Sequence, residues 1–192
     1  MNNKQTIKQI LKEGAGDTIN TSFFTRIAVF DFDGTLADTP MPDTGRLEYE
    51  KITGSPWPHK GWWGRPETLD TDIFDIKPIP SVISAYKEER ANPNTLVIML
   101  TGRIPKLSSE VEKILSGYGL RFDVYEYNNG GQTLNSKINT MERLLKQYPN
   151  VKSIKMWDDR LEHIPAFKAW GSSLEGVDFD ITVVEGNHHG PQ

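Results

Sequence analysis

The chain has 192 residues, the length of one compact domain at roughly 150 residues each, with 36% hydrophobic and 25% charged residues and a formal net charge of -4. That composition excludes a disordered chain, and the acidic balance excludes a general nucleic-acid coat or a binder of anionic membrane surfaces, both of which need a basic excess. The absence of cysteine excludes a disulfide scaffold, a thiol nucleophile and cysteine-built zinc sites, and fits a reducing, cytoplasmic setting.

Residues 1–22 are polar, and their weak helical pattern at Ile7, Ile10 and Leu11 is cut off by Gly14-Ala15-Gly16, so they are expected to form a flexible arm. The start Met1-Asn2-Asn3-Lys4-Gln5 lacks the apolar core of a signal peptide. The longest apolar run, of the Leu96–Leu100 type, is far short of the ~20 residues a membrane helix needs, so no membrane partner is expected. Residues 23–192 then read as a single domain. Strands are expected at Arg26–Phe32, Thr95–Leu100, Phe122–Tyr127, Val151–Trp157 and Phe179–Val184, rich in Val, Ile, Phe and Tyr and bounded by Asp, Gly, Asn and Pro. Between them Pro80–Arg90, Pro105–Gly117, Asn135–Tyr148 and Arg160–Gly171 repeat their apolar residues at about 3.6, the mark of crossover helices. This alternation predicts an α/β fold, a mostly parallel five-stranded sheet covered on both faces, with its ligand at the carboxyl ends of the strands.

Residues 37–78 break the rhythm. They hold six of the twelve prolines and three of the five tryptophans, with no clear helix or strand period, and are expected to form an ordered irregular cap or lid. Within it His59-Lys60-Gly61-Trp62-Trp63-Gly64-Arg65 sets two aromatic rings among basic groups, a composition that can stack a base and pair a phosphate. Adjacent aromatics also serve as the small core of such a lid, and one ring inward with one outward is the expected split.

The strongest chemical signal is Val29-Phe30-Asp31-Phe32-Asp33-Gly34-Thr35-Leu36, a buried strand ending on two carboxylates followed at once by glycine. Two acids at one strand end repel, so a bound Mg²⁺ or a shared proton is expected. A plain Asp-Gly turn would account for Asp33-Gly34 and leave Asp31 unexplained.

The motif Asp-x-Asp-Gly-Thr-Leu after a hydrophobic strand resembles the first motif of the haloacid dehalogenase (HAD) superfamily of phosphotransferases. Leu96–Arg103, a strand ending Thr101-Gly102-Arg103, is similar to the second motif with its phosphate-gripping threonine. Lys137 in Thr133–Lys137 stands for the third, and Ile154–Arg160, with Asp158-Asp159, for the fourth. Singly, the last three also read as a strand-end turn, a solvated helix lysine and a helix start. A narrower resemblance, carried by Asp38–Pro42, Gly61–Pro66, Leu100–Arg103 and Asp158–His163 with Phe167, is to the HAD-like domain of "Swiss Army Knife" RNA-repair proteins and, near the last motif, to the phosphatase half of phage polynucleotide kinase/phosphatase.

The resemblance implies a three-layer Rossmann-like HAD fold and a phosphatase in which Asp31 is the nucleophile and Asp33 the general acid and base. Asp31, Asp33 (through its carbonyl) and Asp159 would hold Mg²⁺, with Asp158 a direct ligand or one shell removed. Thr101, Gly102, Arg103 and Lys137 would bind the phosphoryl group, joined by Trp62, Trp63 and Arg65 if the lid faces the site. The expected substrate is a phosphorylated one, a nucleotide or nucleic-acid end, with sugar phosphates or other small molecules as the alternative and a non-catalytic binding domain as the third. No obligatory protein partner is evident, and no Walker sequence suggests a kinase. His163 is expected to pack or cap near Arg160, His59 to belong to the lid, and His188-His189 to be solvated.

Overall fold

The computed structural model describes residues 21–185; the arm up to Asn20 and the His188-His189 pair lie outside the described residues. Five strands, β1 (Arg26–Phe30), β2 (Thr95–Leu100), β3 (Val124–Glu126), β4 (Ser153–Asp158) and β5 (Asp178–Val183), form one sheet in the order β3-β2-β1-β4-β5, and every pairing is parallel. The helices are α1 (Pro42–Thr53), α2 (Pro80–Ala91), α3 (Ser108–Gly117), α4 (Thr133–Gln147) and α5 (Ile164–Ser172).

Side-chain alternation along the strands splits the interior into two layers. Ala28, Phe30, Val97 and Met99 face Val82 and Tyr86 of α2, Val111, Ile114 and Leu115 of α3, and the lid. Ile27, Val29, Leu96, Ile98, Ile154 and Met156 face Met141 and Leu144 of α4 and Ile164 and Phe167 of α5. This is the three-layer α/β/α arrangement expected. Strands β1 and β2 are buried along almost their whole length because helices cover both faces, which is why they read as continuous apolar runs. Chain order reverses direction at β1, with β2 and β3 laid on one side of it and β4 and β5 on the other. The carboxyl ends of β1 and β4 therefore flank the switch point, where an open α/β sheet leaves a crevice.

Most element ends shift by a few residues from expectation, and two differences matter most. The first strand ends at Phe30 rather than Phe32, because the carbonyl of Phe32 turns to accept the N–H groups of Thr35, Leu36 and Ala37. The segment 37–78, expected to lack regular structure, contains the twelve-residue α1. Its only buried residue is Gly45, so it has no apolar stripe for periodicity to detect. The two ends of the insertion are stitched to each other, Ala37 bridging Pro78 and the Asp38 N–H donating to the Lys77 carbonyl, and the second end is tied to the body by the Tyr118 hydroxyl, which donates to the Ile76 carbonyl.

Candidate active site

A cavity of about 490 Å³ opens at the switch point, lined by Asp31, Asp33 and Gly34 after β1, Gly102 and Arg103 after β2, Thr133 and Lys137 of α4, and Asp159–Glu162 after β4. The lid closes it with Thr39, Met41, Pro42 and Trp63. Local chemistry places each group. Gly34 has φ of 68°, which lets the chain turn back under β1 with its N–H on the Ala37 carbonyl at 2.8 Å. Gly102 is fixed by close approach, since a Cβ there would lie 2.7 Å from Thr133 Cγ2.

At the floor, Lys137 Nζ donates to Asp31 Oδ1 at 2.7 Å and to Asp158 Oδ2 at 2.6 Å, with all three side chains at most 6% exposed. Asp158 also accepts the Arg160 N–H at 2.9 Å. Asp31, Asp158 and Asp159 each present a carboxylate oxygen within 4.8 Å of the others, and Asp159 Oδ1 is buried with no hydrogen-bond partner. Two of these three carboxylates thus share one ammonium, with the third beside them. Burial pushes both Asp31 and Asp159 well above the usual carboxylate range; for Asp31 the Lys137 charge works against this and Asp158 with it, and for Asp159 the charges of Asp31 and Asp158 add to it. Burial would lower Lys137, but Asp158 and Asp31 outweigh it and hold the ammonium charged. Beside burial, which raises the two acids, a surplus of negative charge acts on all three groups: it favours a cation and disfavours a further anion. An oxygen-only cluster with an orphaned carboxylate oxygen suits a hard divalent cation.

Asp33 is held apart from this cluster. Arg103 grips it through Nε, at 3.0 Å from Oδ2, and Nη2, at 2.8 Å from Oδ1, while the buried Thr39 hydroxyl donates to Oδ1 at 2.7 Å. The third arm of the guanidinium, Nη1, donates to the Trp63 carbonyl at 2.6 Å and to Thr68 Oγ1 at 2.7 Å. Trp63 lies over the same guanidinium with its ring centroid 5.0 Å away.

The structure therefore brings Asp31, Asp33, Gly102, Arg103, Lys137, Asp159 and Trp63 to one cavity, with Asp158 directly behind. Thr101 ends β2 beneath the lining, its hydroxyl accepting the Arg103 N–H at 3.1 Å. Two of the expected residues are elsewhere. Trp62 is 3% exposed and forms the lid's own core with Trp57 and Phe74, its indole donating to the Pro40 carbonyl at 3.0 Å, whereas Trp63 is 41% exposed at the rim. Arg65 is exposed and away from the lining; its backbone caps the Thr68 turn. Arg103 is not an open anion-binder, being occupied by Asp33. Thr39, Thr133, Arg160 and Glu162 line the cavity and were not singled out as site residues, although each lies inside a motif that carries the resemblance: Thr39 in Asp38–Pro42, Thr133 in Thr133–Lys137, and Arg160 and Glu162 in Asp158–His163. His163 donates its N–H to the Arg160 carbonyl and packs on Phe167, and His59 pairs with Glu67 in the lid at 2.9 Å.

The family model described as HAD domain family 1 in Swiss Army Knife RNA repair proteins matches residues 49–188. The chain belongs to this family. Asp31 and Asp33 precede the matched span, and the sheet carries them to the Lys137 and Asp158 that lie within it. The uncharacterized protein YMR265C of Saccharomyces cerevisiae is 28% identical over 174 residues, which cover 79% of this chain; the chain spans 38% of that relative's length. Among solved structures, the Pnkp1/Rnl/Hen1 complex contains a chain similar over 83% of this one and 46% of its own length, at 15% identity and a TM-score of 0.53. An archaeal β-phosphoglucomutase from Pyrococcus sp. strain ST 04 is similar over 77% of this chain and 84% of its own, at 16% identity and a TM-score of 0.50. These likenesses show the fold, and the family match identifies it as a HAD domain.

Proposed function

We propose that this HAD domain is a Mg²⁺-dependent phosphohydrolase working through an aspartyl-phosphate, on the phosphate of a nucleotide or nucleic-acid end in nucleic-acid repair or nucleotide metabolism. The observation that carries the reading is the buried cluster of Asp31, Lys137, Asp158 and Asp159 at the switch point, open to solvent through one cavity. Residues 23–192 act as one unit, with 37–78 as its lid, in a cytoplasmic setting; among the described residues no helix is long and apolar enough to cross a membrane.

In this mechanism Asp31 attacks phosphorus and the bond to the leaving oxygen breaks, with Asp33 supplying the proton that oxygen needs. Asp33, now a base, takes a proton from water as the water attacks the aspartyl-phosphate, which returns Asp31 and releases inorganic phosphate. Arg103 and Thr39 keep Asp33 in one rotamer for both steps, worth much because proton transfer needs hydrogen-bond reach. Lys137, with the Thr101 hydroxyl and the Gly102 N–H, neutralises charge on the equatorial oxygens. Asp31, Asp158, Asp159 and the Asp33 carbonyl would hold Mg²⁺, which when bound offsets the repulsion between the phosphate and these carboxylates. The repair role is supported by the family's description, and a sugar-phosphate substrate by the small cavity. An idle scaffold is opposed by the cost of burying Asp31 and Asp158 on one lysine with Asp159 crowded beside them.

Asp31→Asn is isosteric and cannot attack as an anion, so it should keep the fold by circular dichroism and lose turnover of 4-nitrophenyl phosphate. Retention of more than about a tenth of the wild-type rate, less than 1.4 kcal/mol of barrier, would remove Asp31 as nucleophile.

A further inference from the structure

The charges lining the cavity are nearly balanced before any substrate enters. Four carboxylates (Asp31, Asp33, Asp159, Glu162) face three cations (Arg103, Lys137, Arg160). Each cation is already paired: Lys137 with Asp31 and Asp158, Arg103 with Asp33, and Arg160 with Glu162 at 3.0 Å on the rim. A ligand with several phosphates would find no unpaired cation along these walls. Apart from two glycines, Thr133 and Thr39, whose hydroxyl is already given to Asp33, the remaining lining is apolar, in Met41, Pro42, Trp63 and Leu161, of which Trp63 is 41% and Leu161 48% exposed. Trp63 is also braced, with its carbonyl accepting from Arg103 and its ring against the same guanidinium.

We propose that the cavity selects a monoester with one phosphate and a planar, apolar leaving group, a single nucleobase-bearing unit that stacks on Trp63, and that Glu162 turns away a second phosphate by holding Arg160 and presenting its own carboxylate. This rests on the phosphatase reading above and narrows its substrate. A mononucleotide fits, and so does a strand end held through its last nucleotide only. The rest of a strand contributes no charge pairing, so affinity does not grow with length, unlike that of proteins that gain affinity phosphate by phosphate.

The test compares kcat/KM for adenosine monophosphate (5′ and 3′), ribose 5-phosphate, adenosine 3′,5′-bisphosphate and a hexanucleotide with the better terminal phosphate. Wild type is expected to prefer adenosine monophosphate over ribose 5-phosphate by about tenfold, in the range of base–aromatic stacking. Trp63→Ala should collapse that ratio and Trp63→Phe retain most of it; the backbone bond to Arg103 survives in both. The bisphosphate should be about tenfold poorer than the monophosphate and Glu162→Gln should narrow that gap, because Arg160 is then released toward the added phosphate. The hexamer should lie within about threefold of the mononucleotide, with little dependence on salt. A nucleotide-to-ribose ratio near one, a ratio indifferent to Trp63→Ala, or a wild-type preference for the bisphosphate or the longer strand overturns the inference while leaving the phosphatase reading standing. No turnover of any of these substrates or of 4-nitrophenyl phosphate overturns both.

Discussion

Lys137 is the residue on which the floor of the site depends. Its Nζ bridges Asp31 and Asp158 with every partner buried, so the pair cannot be screened by solvent as an exposed ion pair is. Breaking a buried pair from one side leaves the other charge without compensation, and here two carboxylates would be stranded. Lys137→Met keeps the stem and removes the charge; it should lower stability by about 3–5 kcal/mol in a urea titration. Added Mg²⁺ should recover part of that loss, since it would neutralise the same carboxylates. A variant as stable as wild type would mean that Asp31 and Asp158 do not depend on this ammonium. Lys137 also marks the boundary of sequence reading: a lysine in an amphipathic helix is ordinarily solvated, and only its place in a motif series distinguished it. Arg103 shows the reverse error. Its position after β2 was legible, but not that its donors are spent on Asp33, Trp63 and Thr68, because those partners lie 35 to 70 positions away.

At the scale of elements, the central strands were legible as continuous apolar runs because both their faces are buried, and the covering helices because each buries one face, which writes a period into the sequence. Helix α1 was not. It is announced only by local signals, Pro42 and Asp43 at its start and Gly54 in the left-handed conformation at its end, and the one residue it buries is a glycine. A Cβ on Gly45 would lie 2.3 Å from the Trp62 ring. The glycine and the tryptophan therefore form one joint. Trp62→Ala should destabilise by about 3–5 kcal/mol, as large aromatic deletions from a core do. Gly45→Ala should also destabilise, although alanine is the better helix former, because packing opposes propensity there. Thermal unfolding of both variants checks this; a stabilising Gly45→Ala would mean that α1 does not rest on Trp62. Since Trp62 lies outside the cavity lining, the lid's core and the site's rim are separate jobs for adjacent residues, Trp62 and Trp63.

Across the whole molecule, the folded state concentrates acidic groups where the sheet's topology requires a crevice. Helices on both faces leave the carboxyl ends of β1 and β4 as the open place, and acids stand there: Asp31 and Asp33 just after β1, Asp158 at the end of β4 and Asp159 after it. The fold thereby stores repulsion that a cation can relieve, so metal should stabilise the protein and not only activate it. A ligand bound to the native state alone at 100 times its Kd adds about 2.7 kcal/mol. For a domain of this size each kcal/mol raises Tm by about 2–4 °C. Wild type should accordingly show a Tm about 5–10 °C higher in saturating Mg²⁺ than in chelator. Asp159→Asn makes the sign of the effect decisive. In chelator the variant should be at least as stable as wild type, because it removes a buried carboxylate whose oxygen has no partner. In Mg²⁺ it should gain less than about a third of the wild-type shift, because the donor is gone. Equal shifts in the two proteins would take Asp159 out of the metal site, and a variant less stable in chelator would mean that its carboxylate is satisfied in the folded chain without a metal.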